Sequence, residues 1–160
     1  MGLAIALGLA GCVVHTPGLE VAVALHLDVS PALRAARITL VELLRCPGAS
    51  GAHDHHHDDA SAPWSLPLSD VPETVLLTPR PGRYCDLRLQ IEAEDVAPRQ
   101  VVLPLLCGET RRELTLGAET LGRGSILLDV SGSSPPTADA TMQRQLDQML
   151  GTLVVDACVP

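Results

Sequence analysis

The sequence predicts a mainly β protein, a single antiparallel β-sandwich with one short helix near its C-terminus. Residues 19–29 alternate strictly between apolar and polar or small side chains, which is typical of a strand with one buried face. Shorter apolar runs follow, and Pro and Gly separate them, as expected of many short strands joined by turns. The 160 residues suit one domain that buries its own core.

The strands are placed by runs of Leu, Val and Ile between turn residues. The first strand places six side chains on one face, namely Leu19, Val21, Val23, Leu25, Leu27 and Val29. A second apolar run covers residues 36–46. Further short strands are predicted at 73–78, 83–92, 99–107, 112–116 and 125–130. This spacing favours a sandwich of the immunoglobulin or transthyretin type.

One helix is predicted over residues 138–150, followed by a last strand at 153–155. Four apolar side chains recur at helical spacing, namely Met142, Leu146, Met149 and Leu150. Pro135, Pro136 and Thr137 precede them and Gly151 follows, in agreement with helix start and stop signals.

Composition restricts the partners. The formal net charge is −8, and all eleven basic residues are Arg without a cluster, so neither nucleic acid nor an anionic lipid surface is an expected partner. Aromatic residues make up 1% of the chain, so the core must be aliphatic. The acidic balance favours cations as ligands.

The predicted loop 47–63 contains seven consecutive residues whose side chains can ligate a metal, namely His53, Asp54, His55, His56, His57, Asp58 and Asp59. Neutral imidazole suits zinc and copper, and carboxylates add charge and orient the rings. An extended backbone would bring three alternate histidines to one side, and a helical turn would bring together the first, third and fourth. Either arrangement leaves an Asp as fourth ligand. The alternative is a solvated polar loop that binds metal adventitiously.

Other polar residues predict less. His26 is expected on the polar face of its strand with Glu20 and Asp28, and Trp64 is expected to anchor the return of the histidine loop. Gly122 to Ser125 does not form a nucleophile elbow. We therefore expect no catalytic residue and no enzymatic activity.

Residues 2–11 form an uncharged apolar stretch that ends in Leu9-Ala10-Gly11-Cys12, which is too short to span a bilayer. The ending resembles the lipobox of bacterial lipoproteins. The resemblance implies that 1–11 is a signal peptide, that Cys12 carries the lipid, that 12–18 is a tether and that 19–160 is the folded domain. Val13 after the cysteine resembles lipoproteins of the outer membrane. The expected location is therefore the cell envelope, facing the periplasm, with membrane contact through the anchor only.

Four further cysteines remain for two disulfides, namely Cys46, Cys85, Cys107 and Cys158. Folding 83–92 and 99–107 as a hairpin about Val96 sets Cys85 opposite Cys107, which favours that pair and leaves Cys46 with Cys158. The rival pairing joins Cys46 to Cys85 and Cys107 to Cys158. No two of the cysteines lie close enough in sequence for a CxxC zinc site.

The layout, with the stretch Pro81-Gly82-Arg83-Tyr84-Cys85 opening a strand, loosely resembles four-cysteine β-sandwich envelope lipoproteins that carry a histidine-rich loop. That resemblance implies handling of copper or zinc. The first hypothesis is thus a monomeric envelope lipoprotein that buffers, captures or delivers one of these metals. The second is a non-catalytic structural or interaction lipoprotein with an envelope protein partner, in which the histidine loop is incidental.

Overall fold

The computed structural model describes residues 20–48, 65–117, 126–134 and 141–158. These residues are mainly strand, with one α-helix, so the predicted class is confirmed. The helix α1 is Met142–Leu150, and a 3₁₀ helix covers Pro31–Ala35. The strands are β1 Val21–Asp28, β2 Arg37–Arg45, β3 Leu66–Pro67, β4 Glu73–Leu77, β5 Gly82–Ala93, β6 Val96–Cys107, β7 Thr110–Arg111, β8 Leu114–Leu116, β9 Ile126–Ser133 and β10 Val154–Asp156.

The described strands form one curled sheet shaped as a half-barrel, in the order β3-β2-β5-β6-β10-β9-β1-β4, with β7 beside β6 and β8 beside β5. Two neighbouring pairs are parallel, β1 with β9 and β6 with β10. The predicted all-antiparallel pairing is therefore wrong at these two places. Alternation of apolar residues shows which face of a strand is buried and carries no information on the direction of its neighbour.

The two longest strands, β5 and β6 with 12 residues each, form a hairpin. Its connection is the two-residue turn Glu94–Asp95, and Asp95 has φ of 60°. The register pairs Leu87 with Leu103 and Leu89 with Val101. The predicted hairpin exists, but its centre lies before Val96 instead of on it. The register therefore differs from the expected one by two residues.

A β-bulge changes the face of Cys85. The consecutive residues Leu44 and Arg45 of β2 pair with Asp86 and Tyr84 of β5, which leaves Cys85 as the extra residue. Tyr84 is consequently buried at 1% exposure in place of Cys85, since a bulge breaks the two-residue alternation of a strand. The prediction that Cys85 shares the buried face of β5 is wrong, whereas the later buried positions of that face are confirmed, namely Leu87, Leu89 and Ile91.

The core is aliphatic, as the composition predicts. It is lined by the inward faces of the long strands and closed by α1, which packs on the 3₁₀ helix, β6 and β9. Leu146 and Met149 of α1 are fully buried. Thr141 caps the helix by accepting a bond from the Arg144 N–H at 3.4 Å, and Gly151 ends it. Neither helix in the described ranges is long and apolar enough to cross a membrane.

Candidate functional site

The residues with the strongest sequence signal lie outside the described ranges. These are the histidine-acid run His53, Asp54, His55, His56, His57, Asp58 and Asp59, together with Cys12 and Trp64. Their predicted roles in metal binding, lipidation and packing therefore stay predictions. The structure describes the residues on either side of the segment that carries the run, namely Gly48 before it and Ser65 after it.

The two ends lie at opposite ends of β2, and β5 holds the first while β2 itself holds the second. After β2 the backbone N–H of Cys46 donates to the Arg83 carbonyl at 2.9 Å, and Cys46 is disulfide-bonded to Cys85. At the other end, the Arg37 guanidinium donates to the hydroxyl of Ser65 and, at 3.0 Å, to its carbonyl. The nine residues of β2 separate Arg37 from Cys46, so these attachments are about 30 Å apart at the usual rise per residue.

The disulfides are Cys46–Cys85 and Cys107–Cys158, with Cα–Cα distances of 4.9 Å and 4.7 Å. The favoured pairing of Cys85 with Cys107, and hence of Cys46 with Cys158, is wrong, and the rival pairing is the observed one. The presence of two disulfides among these four cysteines is confirmed.

The physical reason lies in the path of β6. Its pairing with β5 ends at Pro104, opposite Asp86. Beyond that point β8 pairs with β5, whereas β6 pairs with β7 and β10. The Ala157 N–H donates to the Leu106 carbonyl at 2.6 Å, which brings Cys158 beside Cys107.

Glu113 lies beside the Cys46–Cys85 disulfide. A carboxylate oxygen of Glu113 and the two sulfurs all lie within 4.8 Å of one another. Cys46 is buried, Cys85 is half-buried and Glu113 is exposed. In the oxidised state the sulfurs are bonded to each other and are not metal ligands. Within the described ranges this is the only group of three or more donors drawn from His, Cys, Asp and Glu at such spacing.

Arg83 also holds this carboxylate. Its Nε and Nη2 donate to the two oxygens of Glu113, a bidentate ion pair. Hydrogen bonding to the arginine lowers the pKa of Glu113, and the charge of Arg83 acts in the same direction. The same hydrogen bond raises the pKa of Arg83. Glu113 is thus a fixed, ionised carboxylate next to two sulfurs.

Sequence reasoning did not identify Glu113. Its position depends on β8, which pairs Leu114 with Tyr84 and so brings the preceding residue beside Cys85. The three-residue β8 was predicted as a strand at 112–116, but its neighbour in the sheet could not be read from alternation. The rival disulfide pairing was the one available signal, because it places Cys46 and Cys85 together.

His26 lies on the exposed face of β1, as predicted. Its Nε2 is 3.4 Å from the Asp129 carboxylate, and both side chains are about half exposed. Asp156 lies directly across from Asp129 in the β9–β10 pair, but its carboxylate accepts the Cys158 N–H at 2.9 Å. One imidazole with one neighbouring carboxylate is a polar surface contact, not a preformed metal site.

Comparison of the chain with protein-family models, with curated proteins and with solved structures gives no match. The functional argument therefore rests on the residues themselves, on the placement of the two disulfides and on the geometry around them.

Proposed function

We propose that this protein binds a divalent transition metal, zinc or copper, through His53, His55, His56 and His57, with neighbouring aspartates as further ligands. The observation that carries the proposal is the uninterrupted run of four imidazoles and three carboxylates at 53–59. Such donors match the ligand preferences of both ions. The role is buffering, capture or delivery of the metal, and no reaction is assigned to it.

The fixed ends of the segment support this proposal. A disulfide and a backbone hydrogen bond hold Cys46, and Arg37 holds Ser65. The chain between them therefore begins and returns at defined points near the two ends of β2. Restraining both ends of a segment reduces the conformational entropy that its ligands lose when they gather around an ion.

The cellular location is proposed from the N-terminus. Cys12, at the end of the lipobox-like Leu9-Ala10-Gly11-Cys12, carries a lipid that anchors the protein to the outer membrane, facing the periplasm. The two disulfides support export, since disulfides persist in oxidising compartments. Labelling cells with a traceable fatty acid tests this point: the wild-type protein should take up label and a Cys12→Ser variant should not.

The metal proposal is tested by calorimetric titration of the oxidised protein with zinc and with copper. Changing His53, His55, His56 and His57 together to Ala should abolish stoichiometric binding at micromolar affinity or tighter. The matched control is His26→Ala, an exposed histidine on β1 that should leave binding unchanged. Equal, weak binding by all three proteins would refute the proposal.

A second function, an interaction lipoprotein, is favoured by an apolar row on the outer face of the sheet. Leu76 of β4 and Leu127 of β9 flank Ala22 of β1 in register, and the two leucines are 55% and 51% exposed. Adjoining exposed apolar side chains are typical of contact surfaces. If this is the function, Leu76→Ser with Leu127→Ser should abolish cross-linking to an envelope protein, and removal of the histidines should not.

We further propose that the curled sheet is an open form of the predicted sandwich. One flank contains β3, β2 and β5, and the other contains β10, β9, β1 and β4, while β6 takes part in both. The aliphatic core includes buried side chains from both flanks, which supports a two-layer description. An experimental structure with two facing layers would bear this out, and a continuous barrel-like curvature would contradict it.

A further inference from the structure

We propose that Cys46, Cys85 and Glu113 form a second, redox-gated metal site, which holds zinc once the Cys46–Cys85 disulfide is reduced to two thiols. The site shares no residue with the histidine run and consists entirely of described residues. Two thiolates and a carboxylate are donors that zinc accepts in proteins. The oxidised disulfide closes the site and the reduced pair opens it.

The distances suit this role. The two sulfurs and one oxygen of Glu113 already lie within 4.8 Å of one another. Tetrahedral zinc, with bonds of about 2.3 Å to sulfur and 2.0 Å to oxygen, places its ligand atoms about 3.5–3.8 Å apart. The carboxylate therefore moves little. The sulfurs separate by side-chain rotation after their bond is broken, and Cys85 is only half-buried. Water takes the fourth position.

The charges also balance. Two thiolates and the Glu113 carboxylate carry three negative charges, and zinc offsets two of them. The Arg83 guanidinium, bonded to both oxygens of Glu113, offsets the third. It also fixes the orientation of the carboxylate, as outer-shell partners of metal ligands do. A carboxylate oxygen has more than one lone pair, so it can accept a bond from Arg83 and still coordinate an ion.

The chemical step is a thiol–disulfide exchange followed by ligand exchange. An external dithiol attacks the Cys46–Cys85 bond, donates two electrons and two protons, and becomes a disulfide itself. Zinc then displaces the two thiol protons, which leave to solvent. Re-oxidation is the reverse exchange: an external disulfide takes two electrons from the two sulfurs and two protons from solvent, becomes a dithiol, and the re-formed Cys46–Cys85 bond expels the ion.

The test measures the protection of individual cysteines in the whole chain. The background variant has His53, His55, His56 and His57 changed to Ala, so that the first proposed site is absent. The protein is reduced with dithiothreitol, freed of reductant without air, mixed with micromolar zinc and treated with iodoacetamide. Mass spectrometry gives an alkylation rate for each cysteine. Zinc should slow the alkylation of Cys46 and Cys85 by at least about tenfold and leave the alkylation rates of Cys107 and Cys158 unchanged.

Glu113→Gln should remove most of this protection. The matched control is Glu42→Gln, another arginine-paired glutamate, whose carboxylate lies 3.2 Å from Arg88 and four residues before Cys46 along the chain. Circular dichroism of each reduced protein with zinc confirms that strand structure is retained or restored. No protection, equal protection of all four cysteines, equal behaviour of the two glutamine variants, or protection without strand structure would each overturn the site.

This outcome is independent of the histidine proposal. If the histidine run does not bind metal, titration of the oxidised wild-type protein shows it, because both sulfurs are then engaged in the disulfide. If the cysteine site does not bind zinc, only the alkylation experiment on the reduced protein without those histidines shows it.

Discussion

Tyr84 shows how a single residue adapts to the bulge in β5. Its ring occupies the inward position that alternation assigned to Cys85 and is 1% exposed. Its hydroxyl donates to the Arg80 carbonyl at 2.7 Å, and the Arg45 guanidinium lies 5.6 Å from the ring centroid. The buried ring therefore retains a partner for its polar atom, as buried tyrosines usually do.

Tyr84→Phe should lower the free energy of unfolding by about 0.5–1.5 kcal/mol, the usual net contribution of one hydrogen bond. The ring and its packing are kept, so the loss reports the hydrogen bonding of the tyrosine hydroxyl. Urea denaturation followed by circular dichroism measures it. An unchanged midpoint in the phenylalanine variant would show that water replaces the tyrosine hydroxyl at that carbonyl without loss.

Glu113 should make stability depend on pH in a defined direction. Arg83 lowers the pKa of Glu113 in the folded protein, so its contribution is present above the pKa of an unfolded glutamate and is lost as pH falls through the lower, folded pKa. Glu113→Gln should therefore melt at a lower temperature than wild type at neutral pH. The difference in melting temperature between the two proteins should disappear in acid, and a difference that stays constant across the pH range would contradict this.

For single residues, the chemical role of a side chain could be predicted from the sequence better than the identity of the residues that surround it. The exposure of His26 followed from its place in an alternating strand and is confirmed. The approach of Glu113 to two sulfurs could not be predicted, because it joins the end of β2, the bulge in β5 and the start of β8. Each of these is a non-local feature.

At the scale of elements, the long strands were predicted well. β1, β2, β4, β5, β6, β9 and α1 all coincide with apolar runs or helical spacing in the sequence. The two-residue strands β3 and β7 and the 3₁₀ helix were missed, because alternation needs several residues to be recognised. The β5–β6 turn was placed too late, since residues 94–98 held no Gly to mark its tightest point.

Asp95 in that turn offers a direct test of the hairpin. Its φ of 60° lies in the left-handed region, where a side chain costs about 1–2 kcal/mol and glycine costs mainly unfolded-state entropy. Asp95→Gly should raise the free energy of unfolding by about 0.5–1 kcal/mol. Asp95→Ala, which keeps a Cβ and loses the polar side chain, should lower it. A destabilised glycine variant in urea denaturation would contradict the turn geometry.

For the whole molecule, the order of the strands in the sheet could not be predicted from the sequence. β1 lies between β9 and β4, and β10 lies between β6 and β9, so most neighbours are distant along the chain. Loop closure over such separations depends on chain entropy and on which apolar faces meet, and neither leaves a local pattern. The disulfide pairing was misjudged for the same reason, because it was inferred from one hairpin in isolation.

The observed pairing has a consequence for stability that the favoured pairing would not have. Cys46–Cys85 and Cys107–Cys158 close separate segments, with sequence separations of 39 and 51, whereas the favoured pairs would have been nested. In the chain-entropy model each bridge contributes about 4 kcal/mol. Because the two loops share no residues, their contributions should add.

Changing Cys46 and Cys85 to Ser should therefore lower the free energy of unfolding by about 2–5 kcal/mol, and changing Cys107 and Cys158 should do the same. The variant without either bridge should lose about the sum, which approaches the whole stability of a typical domain. Urea denaturation of the three variants beside wild type measures this. A combined loss far below the sum would mean that the loops are coupled in the unfolded chain, and an effect from only one bridge would mean that the other closes a segment already ordered by the sheet.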